Sequence, residues 1–548
     1  MKQNPTFRTA ALLTTGAAML MACTDSQDST KNENQPTTNA DGKYNIIFIT
    51  CDQEAYMEEY PAGSNYTARE RLRQIGTTFE KHYACANVST SSRSVIYTGR
   101  HITETCMLDN TNYAFVNDMP RNLPTVGDML RDAGYYTAFK GKWHVSKDTV
   151  SLEDYGFSDW TEGDMYGSVQ EGYHEDGTIA EHAIAWLKEK GKELNDSGQS
   201  FFLAVNFLNP HDIMYFNEDS IGGIAGSGVP EPDDPLYQQT YNVELPSTWN
   251  EPLNKPGRPQ AHTEYYYNWE RMVGPTPKSA ESWLRFRNYY FNTIKDEDNH
   301  MLTLINYLEK AGLMKNTIIV YTSDHGEMQG EHAMKGKGGN IYENNIHVPL
   351  VIYHPEIQGG RHCRNLTSHL DLAPTLIDWA TNGDKKQFQK IAGALHGHSL
   401  VPAVKDPNAD IRNAAGALSC FEMLSMIDSA FVIDPDIQPA YRADLHKRGF
   451  VRGIITPEYK FARYFSPLQF NSPTDIDTLY KYNDVELYEY GSDETNNLAW
   501  PKGSNTTLVN HMNQRLNALI QHEIGADDGH EVKMGGGYRG GIRLYSRN

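Results

Sequence analysis

Four short runs of this chain are apolar at nearly every position: Tyr44–Thr50, Phe201–Phe207, Thr317–Thr322 and Val348–Tyr353. A strand with one wet face reads as alternating apolar and polar residues. An unbroken apolar run of this length instead fits a strand covered on both faces. Between these runs lie segments of helical spacing. Pro124–Ala133 aligns Val126, Met129, Leu130 and Ala133 and stops at Gly134, and Tyr135–Phe139 then reads as another strand. A long amphipathic pattern from Trp283 to Ala311 closes at Gly312. Strands alternating with helices predict an α/β fold, a mostly parallel sheet sandwiched by helices, with ligands bound beyond the carboxyl ends of the strands.

Two regions depart from this pattern. Met214–Ser282 is rich in Pro, Gly and Tyr, with Tyr265-Tyr266-Tyr267 lying between Trp249 and Trp269. It is expected to be a long irregular insertion, and its aromatic rings could offer stacking faces. Beyond Pro402, Phe450–Thr456, Tyr459–Tyr464 and Val485–Tyr490 read as short strands and Asn505–Ile524 as a terminal helix. They predict a smaller C-terminal α+β subdomain over 403–530, following the larger α/β domain over 43–402. A Gly- and Arg-rich tail over 531–548 is expected to be flexible.

The N-terminus reads as an export signal. Lys2 and Arg8 precede an apolar run from Ala10 to Ala22 that is too short to span a bilayer as a helix. Residues 1–22 are expected to be removed. The run ends in Leu20-Met21-Ala22-Cys23, which is similar to the lipobox of bacterial lipoproteins and makes Cys23 a candidate for lipidation. Residues 23–42 are polar and without apolar periodicity, suited to a disordered tether. The expected location is the bacterial cell envelope, as a lipoprotein, or the periplasm. The formal net charge of −21 argues against a nucleic-acid partner, which would need a basic face. It does not exclude an anionic substrate, because a local group of cations can overrule the global field. Six cysteines with no CxxC pair are too few for a disulfide scaffold and offer no zinc-ribbon spacing.

Polar clusters fall where the apolar runs end. Asp52-Gln53 follows the first run and Asp324-His325 follows Thr317–Thr322. Each alone is as well read as a turn or a helix cap, whereas two such strand ends in one sheet could share a hard cation. Ser89-Thr90-Ser91-Ser92-Arg93 opens a helix and places a hydroxyl four residues before an arginine. That is either a nucleophile at a positive helix end or a Ser-rich cap. In Gly141-Lys142-Trp143-His144, an extended backbone would aim Lys142 and His144 to one side. His211 ends another buried run, and Lys337 sits between two glycines.

In this order, the residues resemble the sulfatase family of the alkaline-phosphatase-like superfamily, from about Tyr44 to Ala499. Ser89 to Arg100 matches the family's nucleophile, x, Pro or Ala, Ser, Arg and later Thr-Gly-Arg. GKWH matches at Lys142 and His144. The TSDHGE, GEH, GKG, YE and VPL block matches Thr322 to Leu350, and Ser368–Thr375 and Leu487–Ala499 are similar to later family signatures.

The resemblance implies hydrolysis of a sulfate ester through formylglycine made from Ser89 by a maturation enzyme. It implies Asp52, Gln53, Asp324 and His325 around one divalent cation, Ca²⁺, and Lys142 and Lys337 on the sulfate oxygens. Arg93 would support the nucleophile, His144 would take a proton from its hydrate, and His211 would protonate the leaving alcohol. Ser91 stands where the family has Pro or Ala, and Gln53 and His325 stand where Asp and Asn are frequent. The envelope location and the aromatic insertion point to a sulfated carbohydrate or polysaccharide fragment as substrate. An unconverted Ser89 would instead suit a phosphodiesterase, phosphonate monoester hydrolase or phosphatase. A glycan-binding lipoprotein without catalysis is a third reading.

Overall fold

The computed structural model describes residues 38–111, 116, 118–147, 150–216, 229–412, 415–422, 446–469 and 472–527, and the backbone of 538–539 and 542–543. The expected signal peptide, Cys23 and most of the tether lie outside the described residues, as does most of the expected tail.

The centre is a seven-stranded sheet in the order β4-β5-β1-β6-β7-β2-β8. Its members are β1 (Asn45–Asp52), β2 (Thr77–Phe79), β4 (Tyr136–Gly141), β5 (Phe201–Pro210), β6 (Thr317–Ser323), β7 (Leu350–Tyr353) and β8 (Arg361–Cys363), while the short β3 (His82–Tyr83) and β9 (Thr367–Ser368) pair with each other outside it. Only β7 runs against the others, so the sheet is mostly parallel as expected. The apolar runs are strands buried on both faces. Ile46 and Phe48 of β1 join one hydrophobic cluster with Phe202 and Val320, while Ile47 and Ile49 join another with Leu203 and Ile319. Side chains alternate across a strand, so covering both faces demands apolar residues at successive positions.

Helices cover both faces. They include α1 (Thr67–Ile75), α2 (Ser89–Thr98), α3 (Val126–Asp132), α4 (Glu171–Trp186), α5 (Gln260–Met272), α6 (Ala280–Lys310) and α7 (Leu372–Ala380). Helix α3 starts in a capping box: the Thr125 hydroxyl accepts from Asp128 N–H, and the Asp128 carboxylate accepts from Thr125 N–H. Helix α6 is capped by Ser279 and buries Phe286, Tyr290, Ile294, Met301, Ile305 and Leu308 at helical spacing.

The aromatic insertion is more regular than expected. Gln260–Met272 is a helix, and Tyr265 and Trp269 on it are buried in a cluster with Val273, Met328 and Met334. Most of the remaining rings, including Tyr237 and Tyr241, pack with the aromatic face of α6. These rings form core instead of a stacking surface, whereas Tyr267 is 50% exposed. The adjacent Tyr-Tyr-Tyr hid the spacing of Ala261, Tyr265 and Trp269 along one face.

The C-terminal strands β10 (Ala417–Glu422), β11 (Phe450–Ile455), β12 (Tyr459–Phe465) and β13 (Asn483–Glu489) form an antiparallel sheet packed by α8 (Thr506–Glu523). One hydrophobic cluster runs without a break from β1 through α7 into this sheet. A backbone bond from Cys420 N–H to Cys85 O of 2.8 Å also ties β10 to the central unit. In the tail, the backbone of Tyr538–Arg539 pairs antiparallel with Ile542–Arg543.

His369 lies fully buried between Ser92 Oγ, at 3.1 Å, and Ser323 O, at 2.9 Å. Burial pushes its pKa down to about 3. The unfolded chain takes up a proton near pH 6.5 that the folded chain refuses, so this group withdraws stability as pH falls below that value. From pH 7 to pH 5 its share is about 2 kcal/mol. Denaturant unfolding of wild type and His369→Asn should show their stability gap narrowing by that amount over this range; parallel pH profiles would contradict the assignment.

Candidate active site

Parallel pairing of β1 with β6 sets Cys51 opposite Ser323, so Asp52 and Asp324 emerge side by side at the carboxyl edge of the sheet. Arg93, one turn into α2, lies between them. Its Nη2 donates to Asp52 Oδ2 at 3.1 Å and its Nε to Asp324 Oδ2 at 2.9 Å. A third bond, Nη1 to Lys142 O at 2.9 Å, fixes the end of β4. The guanidinium therefore holds three segments together and has no bond to Ser89 among the described contacts.

Ser89 is the first residue of α2, which is buried along its whole length and ends at Gly99 in the left-handed region. Its Oγ lies 3.1 Å from His325 Nε2, 3.2 Å from Lys337 Nζ and 3.4 Å from Asp52 Oδ1. Lys142 Nζ reaches Asp52 Oδ2 at 2.8 Å. All of these side chains are buried.

The structure selects which atom each polar group presents. Gln53 Nε2 donates to Glu327 Oε2 at 2.6 Å, and Lys337 Nζ donates to Gln53 Oε1 at 2.8 Å. A carboxylate only accepts and an ammonium only donates, so the amide oxygen faces Lys337 and the cluster. His325 Nδ1 donates to Gly326 O at 3.1 Å. Burial, reinforced by Lys337, holds its pKa well below the ordinary histidine value. The neutral ring thus turns an Nε2 lone pair inward.

Asp52, Asp324 and His325 each offer a ligand atom within 4.8 Å of the others, and the Gln53 amide oxygen faces Lys337, whose Nζ lies 3.6 Å from Asp52 Oδ1. Two carboxylates and an imidazole nitrogen fit a divalent cation. Burial raises the pKa of both carboxylates, but Lys142 and Lys337 still hold Asp52 well below the usual range. Asp324 is pushed up to about 7 by burial and by the charge on Asp52. A cation here would favour its ionised form.

His144 does not owe its position to an extended strand. β4 ends at Gly141, and His144 has φ 57°, in the left-handed region. Asp164 fixes this turn by accepting from His144 N–H at 2.9 Å and Trp143 N–H at 3.1 Å. Both ring nitrogens of His144 are buried with no hydrogen-bond partner, and so is Nδ1 of His211. Burial, together with the charges of Lys142 and Lys337, keeps both rings neutral. Gly167, at φ 80°, packs under His211, where a Cβ would fall 2.4 Å from the imidazole.

The structure brings Asp52, Gln53, Ser89, Arg93, Lys142, Asp324, His325 and Lys337 into one contact network. His144 and His211 lie within reach of its charges. Several supporting residues escaped the sequence reading. Glu327 orients Gln53 and also accepts from Gly336 N–H at 2.7 Å. Trp269 Nε1 donates to Lys337 O at 3.0 Å, and Tyr265 OH to Lys335 O at 2.6 Å, so α5 anchors the loop that carries Lys337. Glu327 sits inside the TSDHGE block and was open to notice. Asp164 and Gly167 lie in a loop with no periodic signal.

Residues 44–382 match the family described as Sulfatase. The N-acetylglucosamine-6-O-sulfatase of Bacteroides thetaiotaomicron is 28% identical over 476 residues, covering 76% of this chain and 78% of the relative. A solved 2-O GAG sulfatase superposes with a TM-score of 0.65 at 19% identity, covering 90% of this chain and 94% of its own. A phosphonate monoester hydrolase from Silicibacter pomeroyi superposes with a TM-score of 0.61 at 18% identity, covering 88% and 96%. The family match spans well over half of the chain, and the sheet, the C-terminal subdomain and the structural neighbours agree with it: this chain belongs to the sulfatase family, enzymes that hydrolyse sulfate esters.

Proposed function

We propose that this sulfatase removes a sulfate ester from a sulfated carbohydrate, with Ser89, converted to formylglycine by a maturation enzyme, at the reacting position. One observation carries the reading: the buried Ser89 hydroxyl is surrounded by Lys337, His325 and Asp52 within 3.4 Å. The converted side chain would supply a hydrated aldehyde as nucleophile. A sulfate ester repels a nucleophile through its delocalised negative charge, so fixed cations must offset that charge. Lys142 and Lys337 would bind its oxygens, and Arg93 keeps the two carboxylates and the Lys142 backbone in place. The neutral, unpartnered ring of His144 is suited to take a proton. Burial, with the charges of Lys337 and Lys142, holds His211 neutral. The negative charge of a bound ester would raise its proton affinity, the state in which it can donate to a leaving alcohol.

The carbohydrate class is supported by the relatives named above, an N-acetylglucosamine-6-O-sulfatase and a 2-O GAG sulfatase. We further propose that residues 43–402 form the catalytic domain and 403–530 the C-terminal subdomain, and that export ends with lipid on Cys23 and 23–42 as a tether. No described helix is long and apolar enough to cross a membrane.

Mass spectrometry of protein from its native host tests conversion and export together. The peptide holding Ser89 should lack a pair of hydrogens, and the mature chain should begin at an acylated Cys23. An unmodified Ser89 would contradict the formylglycine reading and favour phosphoryl transfer. A chain beginning elsewhere would contradict lipidation.

Asp52, Gln53, Asp324 and His325 would hold one divalent cation, Ca²⁺ in this reading, which would supply positive charge to offset that of the sulfate ester. An ion bound at a hundred times its Kd stabilises by about 2.7 kcal/mol. EDTA should therefore lower the melting temperature, and Ca²⁺ should restore it. No thermal response to chelator would argue against the four-ligand cage.

A further inference from the structure

Trp500 is 43% exposed, the most exposed tryptophan among the described residues. Most large rings in this fold are buried as core, and every other described tryptophan is at least partly buried, so its position needs a cause. The segment Leu498–Trp500 is well anchored: Asn497 donates to Gly257 O at 2.9 Å, and Trp500 N–H donates to Asn497 O at 3.0 Å. The indole packs on Gly257, whose φ is +88° and where a Cβ would fall 2.7 Å from the ring. Only glycine gives both that backbone and that contact without strain. The ring is thus held against a flat support and still presents surface to solvent.

Two depressions of about 180 Å³ and 370 Å³ meet at this ring. Both are lined by Lys255, Arg258 and Trp500. The smaller adds Asn496, and the larger adds Asp484 and Lys502. An aromatic face flanked by amide, carboxylate and ammonium groups matches the chemistry of a pyranose. Its C–H face is weakly positive and complements the negative face of the ring, and its hydroxyls both donate and accept. The groove also lies behind the active-site loop. Arg258 Nη2 donates to His332 O at 2.8 Å, and Tyr342, which lines the smaller depression, stacks on the His332 ring at 3.7 Å. The segment from His332 leads directly to Lys337.

We propose that the groove centred on Trp500 is a second carbohydrate site, binding a pyranose unit of the glycan chain away from the sulfate that is cleaved. The inference rests on the carbohydrate reading above. It assigns Trp500 a binding role for chains, with no part in the reaction at Ser89.

Native electrophoresis in gels containing heparan sulfate, chondroitin sulfate or carrageenan tests it, using Ser89→Ala protein so that no turnover intervenes. Retardation by at least one of the three glycans is expected, and adding Trp500→Ala should weaken it about tenfold, the equivalent of roughly 1.4 kcal/mol. Trp500→Tyr should keep most of it, because a ring remains. With Ser89 intact, Trp500→Ala should raise KM for an oligosaccharide of that glycan and leave N-acetylglucosamine 6-sulfate and 4-nitrophenyl sulfate turnover unchanged. Retardation identical in the Trp500 variants, or retardation by none of the glycans, would overturn the groove. Retardation that depends on Trp500, with no sulfate released from any sugar, would support the groove and sink the hydrolytic reading instead.

Discussion

The Arg93 guanidinium, clamped between Asp52 and Asp324, is the interaction on which the pocket depends. Two carboxylates this close in a buried site repel each other, and burial alone would drive both toward neutrality. Arg93 satisfies one oxygen of each, while Lys142 and Lys337 favour charge on Asp52. The residual imbalance falls on Asp324, with its pKa near 7. A divalent cation among Asp52, Gln53, Asp324 and His325 would remove that imbalance. In the proposed reading the cage and the sulfate-binding cations are therefore one electrostatic unit, and removing any member shifts the others.

The global charge of −21 and this local balance act at different ranges. Exposed acids are screened over about 8–10 Å at physiological ionic strength. The three cations of the pocket are buried, where screening is weak and their fields persist. An acidic enzyme can in this way receive an anionic ester, with the surface charge affecting capture of long polyanions more than the chemistry proposed at Ser89.

Most of the framework was legible in the sequence because its signals are local. A strand covered on both faces must be apolar at successive positions, so β1, β5 and β6 announced themselves, and the polar pairs after β1 and β6 marked the edge where Asp52 and Asp324 meet. Helix α5 was less legible, since three adjacent tyrosines masked a helical face that carries Tyr265 and Trp269. The turn holding His144 was misread, because an apparently extended GKWH segment is bent by Asp164, twenty residues on. Such supports depend on contacts between distant segments, which leave no pattern in either one. The packing of Trp500 was hidden for the same reason: its supporting glycine, Gly257, lies more than two hundred residues earlier.

The central claim is that Ser89 stands at the reacting position of a carbohydrate sulfatase. It is tested most directly by inorganic sulfate release from a panel of sulfated oligosaccharides of defined position, using protein matured in its native host beside Ser89→Ala. The account predicts sulfate release from at least one sugar, and a loss of several thousandfold or more in the variant, in line with removal of a nucleophile (roughly 10³–10⁶). Turnover that survives Ser89→Ala, or wild-type protein that cleaves phosphonate esters and no sulfated sugar, would contradict it.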